Sequence, residues 1–404
     1  MTMRVTTSLI YSLGVDAIGR QQEKLLKLQQ HLAAGRRILT PSDDPIGAAQ
    51  ALTVTQAKAR TAQHTTNIGV ATDALAYSES VLGQVADVLQ AARTQAIAAG
   101  GPALSDADRR ALGTDLRAQL AQLVGLANAK DGQGAFMFAG FATATQPFVN
   151  MAGSVVYNGD SGQRTLEVGP GRNLPISASG EEVFMRVANG NGAFVASAGS
   201  ANAGNGIITP GSVVDPTALT GDTYRIQFTV AAGVTTYDVI DVTTAAVVSS
   251  GNPYTNGGAI TVAGMQVTIS GPPSNGDQFT LAPSTSQSVF KTISDLIATI
   301  EAGATTPLGR AQLTNGLNRS LTDVDQALEH LLTVRAEMGA GLRELETLAS
   351  GNEGQQLLHD QTLSRLQDLD YNAALSDFSR QQLALEAAQK SFIQVTGLSL
   401  FDYL

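Results

Sequence analysis

The placement of proline limits this chain more than any other feature. Past Pro307 there is none up to Leu404, and none lies between Pro45 and Pro102. A proline inside a helix removes a hydrogen bond and clashes with the preceding turn, at a cost of ~3 kcal/mol, so the two gaps leave room for long helices. Residues 150–285 are the opposite: they hold 8 of the 13 prolines and 20 of the 41 glycines. The chain therefore reads as helical, then rich in strands and turns, then helical again. Its 404 residues exceed one ordinary core and predict two or three domains.

Apolar spacing fills in the outline. Ser42-Asp43-Asp44-Pro45 supplies cap carboxylates and a proline for a first helical turn. Over 46–99, Ile68, Leu75, Leu82 and Leu89 recur every seven residues, with Val85 and Ala92 between. Gly69 and Gly83 weaken that helix by ~1 kcal/mol each. Ser105-Asp106-Ala107-Asp108 resembles a capping box with Asp in place of Glu, and opens a helix carrying Leu112, Leu116, Leu120 and Leu123. Asp131-Gly132 is a hairpin-turn signal and 135–139 a short apolar strand candidate. Alternation at 224–230, 260–269 and 278–281, with Asn-Gly pairs at 158, 205 and 256, predicts an antiparallel sheet or sandwich. Helical stripes return through Val289, Ile293, Leu296, Ile297 and Ile300, then over 308–348 and 355–396.

Both chain ends are written as coiled-coil seams. Tyr11, Ile18, Leu25, Leu32 and Leu39 are seven apart near the start. Tyr371, Phe378, Leu385 and Phe392 are seven apart near the finish, with Ala374, Gln381, Ala388 and Val395 three residues on. Residues 1–40 carry six basic and two acidic side chains, and 341–404 four basic and nine acidic. Opposite charge favours the ends lying together, but exposed pairs contribute only ~0–1 kcal/mol each, so the apolar seams must supply most of the energy. Small and amide side chains at several seam positions bury little, which points to a pair that gains stability by assembling with others. The expected fold is α+β: a long antiparallel helical bundle or coiled coil from both chain ends, with an inserted antiparallel β-rich domain. Its parts are 1–40 with 365–404 as a terminal coiled-coil layer, 41–149 with 286–364 as a long-helix bundle with a β-hairpin, and 150–285 as the outward-facing insert.

Chemistry is scarce. The formal net charge of −10 argues against a general nucleic-acid binder, which needs a basic face to meet phosphates. No cysteine is present, which excludes disulfides and thiolate sites. No apolar run approaches the ~20 residues of a membrane-spanning helix. The first 35 residues lack the apolar stretch and cleavage site of a secretory signal. P-loop, dinucleotide, nucleophile-elbow and zinc-protease motifs are missing, and His31, His64, His330 and His359 lack paired ligand spacing. Asp43 and Asp44 are explained by a helix cap, Asp238 and Asp241 by a loop or sheet face, and the Asn318-Arg319-Ser320 sequon falls in a helix. The reading is a chain with no catalytic centre, cofactor or metal, whose working surface is the seam set Tyr11, Ile18, Leu25, Leu32, Tyr371, Phe378, Leu385 and Phe392.

Several segments resemble the flagellin superfamily. They are Leu32-Ala33-Ala34-Gly35-Arg36-Arg37-Ile38 followed by Ser42-Asp43-Asp44-Pro45, Thr6-Thr7-Ser8, and Gly134-Ala135-Phe136-Met137-Phe138-Ala139-Gly140-Phe141 with Pro147-Phe148. Gly276-Asp277-Gln278-Phe279-Thr280, Asp370-Tyr371-Asn372-Ala373-Ala374 and Ser399-Leu400-Phe401-Asp402-Tyr403-Leu404 complete the set. The Pro-Ser-Asp-Asp-Pro version is closer to the hook–filament junction branch than to filament flagellin. The resemblance covers about 1–150 and 276–404. It implies a subunit whose terminal helices line a tube while the sheet domain faces outward, exported unfolded through the flagellar type III apparatus. The implied partners are hook-associated protein 1 on the hook side, flagellin on the filament side, an export chaperone for the C-terminal helix, and other copies in a ring. Filament flagellin, or a secreted adhesin carried by the insert, are the alternatives.

Overall fold

The computed structural model describes residues 7–397, Ala152 excepted. Thr6 of the first matching segment and Ser399 to Leu404 of the last therefore lie outside the described residues. The chain forms two compact units. One comprises the chain ends, up to Thr66 and from Thr347; the other is Asn67–Glu346. The divisions fall inside α2 (Pro45–Ala99) and α5 (Pro307–Gln367), not at the expected positions 40 and 364.

In the unit of chain ends, α1 (Thr7–Ala34) lies against α6 (Tyr371–Gly397). The two are antiparallel: Tyr11 meets Phe392, Gln21 meets Gln381, and Tyr371 reaches Leu32. Gly35 ends α1 with φ 66°, the left-handed region that favours glycine. Beyond it the backbone pairs with the start of the α6 arm. Leu369 N–H donates to Gly35 O at 3.1 Å, Arg37 N–H donates to Gln367 O at 2.7 Å, and Arg36 bridges Asp368. Leu39 thus leaves the helix and its heptad series, because the chain turns into this strap. The break at 368–370 also divides the stripe expected over 355–396. Gly351 and Gly354, which fall between the stretches expected over 308–348 and 355–396, stay inside α5, and Asp370 caps the new helix by accepting from the N–H groups of Asn372 and Ala373.

The larger unit holds the main apolar core. Ile68, Leu75, Leu82 and Leu89 of α2 are all buried, as are Val85 and Ala92. Ser105 caps α3 (Asp106–Ala127) in a reciprocal capping box with Asp108. Helix α4 (Val289–Glu301) packs on α3, with Val289, Ile293, Leu296, Ile297 and Ile300 inward. Residues 135–139 do not form the expected strand; only Lys130 and Phe136 make a β-bridge. Their backbone turns between Gly134 and Gly140, both at positive φ, so that Phe138 drops inward. There it joins Phe148, Phe184 and Phe290, with ring centroids 5.1–5.8 Å apart. Edge-to-face and tilted pairs at these distances add roughly 0.5–1.5 kcal/mol each beyond their buried area.

Strand structure begins at Phe148, two residues before the expected boundary. Two hairpins come first, β1 (Phe148–Met151) with β2 (Ser154–Tyr157), and β3 (Thr165–Gly169) with β4 (Arg172–Pro175). A neck follows in which β5 (Val187–Ala188) pairs with the much later β15 (Ser286–Gln287). Between them lie β6 (Phe194–Ala198), β7 (Ile207–Ile208), β8 (Ser212–Val213), β9 (Tyr224–Ala231), β10 (Val234–Asp241), β11 (Val247–Pro253), β12 (Ala259–Val262), β13 (Met265–Ser270) and β14 (Gln278–Pro283). One antiparallel sheet runs β11-β10-β9-β14-β6; the other joins β12 to β13, with β7 and β8 on the far edge of β13. Period-two alternation turns Tyr224, Ile226 and Phe228 inward, against Val267, Ile269 and Phe279. Asn205-Gly206 makes no turn, because Gly206 sits against the Phe279 ring, whereas Asn256-Gly257 does, with Gly257 at φ 75°.

Candidate assembly surface

Seven-residue spacing works as a seam only if one face of each helix is paired, and that face is the half-buried one here. Along α1 it comprises Gly14, Ile18, Gln21, Leu25, Leu28 and Leu32, alternating by four and three residues. Along α6 it comprises Ala374, Phe378, Gln381, Leu385, Ala388 and Phe392. Six of the eight residues expected on the seam therefore lie on the paired face. The other two, Tyr11 and Tyr371, stand at its ends, 57% and 51% exposed. They still make contact. The Tyr11 ring centroid is 5.2 Å from that of Phe392, and the Tyr371 hydroxyl donates to Leu32 O at 3.4 Å. Val395, offered as an intermediate position, is exposed instead.

Three seam residues, Gly14, Gln21 and Leu28, were not singled out. Gln21 and Leu28 follow from completing the three-and-four alternation that the spacing by seven already implies. Gly14 carries no apolar signal. It matters because a Cβ there would run into the Phe392 ring, so the missing side chain is the hole that the ring fills.

The polar groups near the seam are structural. Gln21 Nε2 donates to Gln381 Oε1 across it. The Lys27 ammonium sits 2.7 Å from Asp43, and the N–H groups of Thr40 and Leu39 also point at that carboxylate. Together, the lysine first, they hold Asp43 well below the usual carboxylate range. Asp44 accepts from Gly47 N–H at 2.9 Å and caps α2. Among the described residues the opposite charges of the two ends are not spent on direct α1–α6 pairing: Lys27 goes to Asp43, and Arg37 pairs with Asp44 and donates to Leu366 O. His31 and His330 each hydrogen-bond a backbone oxygen at 2.8 Å, and Asn318 of the sequon donates to Ile208 O.

What the pair leaves uncovered is more telling. Among the described residues of this unit the buried apolar side chains are Ala51 and Ala374; no Leu, Ile, Val or Phe of α1 or α6 is buried. Leu9, Leu13, Val15 and Leu26 of α1 and Leu375, Leu383, Ile393 and Val395 of α6 are 39–68% exposed. Each would gain up to ~1.5–3 kcal/mol if fully buried. Apolar surface on this scale marks a site of association.

Comparison with known proteins agrees with this geometry. Residues 6–143 match the bacterial flagellin N-terminal helical region. The flagellar hook-associated protein 3 of Escherichia coli (strain K12) is 30% identical over 401 residues, 99% of both chains. The crystal structure of the flagellar hook-associated protein 3 from Legionella pneumophila is 31% identical, with a TM-score of 0.75, and covers 78% of this chain and 98% of that one. The FlgL structure from Xanthomonas campestris is 34% identical, with a TM-score of 0.71, over 77% and 99%.

Proposed function

The chain belongs to the flagellar hook-associated protein 3 family of bacterial flagella, and from that membership we propose that it is the adaptor joining hook to filament. It is a structural component of the flagellum. The observation that carries the mechanism is the α1–α6 pair, which has a knob-and-hole seam inside and a wide apolar surface outside. A pair of this kind is marginal alone and gains stability when copies stand side by side, so the terminal helices order the subunit within a ring. Hook-associated protein 1 meets this ring on the hook side, and flagellin adds to it on the filament side. An export chaperone holds the α6 segment before the chain leaves the cell unfolded through the type III apparatus. Alignment with a family member over 99% of the chain includes the β-rich insert. That favours the adaptor over filament flagellin or an adhesin built on the insert.

The test is deletion of the gene in its own bacterium, with flagella viewed by electron microscopy and flagellin assayed in the medium. The adaptor role requires hooks without filaments and flagellin monomer in the medium; hooks without any major secreted flagellin would make this chain the filament subunit. Complementation with Phe378→Asp tests the seam. A carboxylate opposite α1 should abolish filament attachment while the Asn67–Glu346 unit keeps its stability. Normal filaments from that variant would refute the seam.

A further inference from the structure

Within the unit of chain ends, the α2–α5 pair is built inside out over about three helical turns. The Lys58–Asp360 ion pair marks its register. Counted along the two antiparallel helices from that pair, at ~1.5 Å per residue, His64 and Asn352 come to within ~3 Å of the same level. The inward residues of this stretch are polar. Thr61 and Asn352 are buried, and His64, Gln356 and His359 are half-buried. Two leucines face the other way: Leu357 and Leu358 are 61% and 57% exposed. Apolar residues return to the inner face on either side, with Leu348 before and Leu363 and Leu366 after, all half-buried. Gly351 and Gly354 fall in the same stretch of α5.

Closing this stretch is costly. His64 Nδ1 and Asn352 Nδ2 are shut off from water and have no hydrogen-bond partner among the described residues. A buried donor or acceptor left unpaired loses its hydration and gains nothing in return. Separating the helices here returns both atoms to water and parts polar side chains. The two glycines weaken the α5 side further. Toward the strap the pair is tied down: Arg37 N–H donates to Gln367 O at 2.7 Å, and the Arg37 guanidinium donates to Leu366 O at 2.8 Å. A weak stretch inside a held helix is a place for local opening, and a conflict between apolar pattern and packing marks a site kept for function rather than stability. We propose that residues 57–65 of α2 and 350–360 of α5 form a joint at which the helix pair opens, so that the chain ends settle against those of neighbouring copies during assembly. The part played in assembly rests on the reading that copies stand side by side; the opening itself does not.

Amide exchange on the full chain, read by mass spectrometry, tests the opening. Exchange should be at least tenfold faster at 350–360 than at 362–367, the stretch nearer the strap. The reverse order would mean plain fraying from the strap inward and would overturn the joint. Two variants close it. His64→Leu with Asn352→Leu replaces the orphaned atoms by apolar carbon. Gly351→Ala with Gly354→Ala strengthens α5, and a Cβ at either glycine meets nothing within 4 Å. Each pair should slow exchange at 350–360 at least tenfold; the glycine pair keeps the test open if circular dichroism shows the leucine pair misfolded. In a deletion strain complemented with either, the fraction of cells with attached filaments should drop at least fivefold. Slowed exchange with normal filaments would overturn the joint's part in assembly. The exchange arm uses the free chain, so it stands even if the unmodified chain fails to restore filaments, the result that would refute the adaptor reading.

Discussion

At the scale of single residues, most carboxylates that matter here are placed to stay charged. Asp43 is held low first by Lys27, Asp108 by the hydroxyl and N–H of Ser105, and Asp160 by the N–H groups of Phe141, Gly162 and Ala142. Each stabilises the fold fully above the unfolded carboxylate value near 3.8, and loses that contribution as pH falls through its lowered folded value. Asp323 runs the other way. It is 3% exposed on α5, accepts from Gly190 N–H at 2.6 Å, and is pushed up first by burial. Its folded form holds a proton more tightly than the unfolded chain, so its contribution is full below the unfolded value and lost as pH rises through the raised one. Asp323→Asn keeps the acceptor for Gly190 and removes the buried charge. It should raise the Tm of the protein by on the order of 2 °C at pH 7, the size expected for about 1 kcal/mol. The gain should vanish near pH 4 in a calorimetric series; an equal gain at both pH values would show that burial of charge is not its cause.

At the scale of elements, what could be read from the sequence depended on whether the signal was periodic. The heptads of α2 and the stripe of α4 specified their buried faces because a helix repeats every 3.6 residues whatever surrounds it. Strands β9 and β14 were legible by alternation. Residues 135–139 were not, since a short apolar run does not say whether its backbone pairs in a sheet or turns to drop Phe138 into an aromatic cluster. The break at 368–370 was hidden for a related reason: it is set by backbone pairing with residues 35–37, more than three hundred positions away, while Gly351 and Gly354 are tolerated in α5. Half of the seam was legible as apolar spacing, whereas Gly14 acts through a side chain it does not have. The docking of the insert on α5 also lay beyond reach. Asn315 accepts from Ile208 N–H at 2.8 Å and donates to Gly206 O at 2.9 Å, standing in for a neighbouring strand. Asn315→Ala would strand both groups, at about 1–3 kcal/mol. Amide exchange followed by mass spectrometry should show faster exchange at 206–208 with β9 unchanged; unchanged protection at 206–208 would mean that the Asn315 amide does not hold this edge of the insert.

At the scale of the whole molecule, the two units differ in what holds them. The Asn67–Glu346 unit buries two cores, one of helices and aromatic rings and one between two sheets. Among the described residues, the unit of chain ends has no large apolar side chain of α1 or α6 buried. Loss of backbone freedom costs both units about 1–2 kcal/mol per residue, so the unit with less burial has less to set against that cost. Its opening free energy belongs at the low end of the molecule's range. Cleavage of a transiently opened segment follows the population of the open form when closing is fast. Purified monomer treated with a low level of a nonspecific protease should therefore lose its ends first and leave a stable fragment close to residues 67–346, while subunits within intact flagella resist. Adding one apolar contact inside the seam, with Gln21→Leu and Gln381→Leu together, should slow trimming of the monomer several-fold without changing the final fragment. Ends that resist in the free monomer as well as in the flagellum would mean that the helix pair is stable by itself and gains nothing from its neighbours.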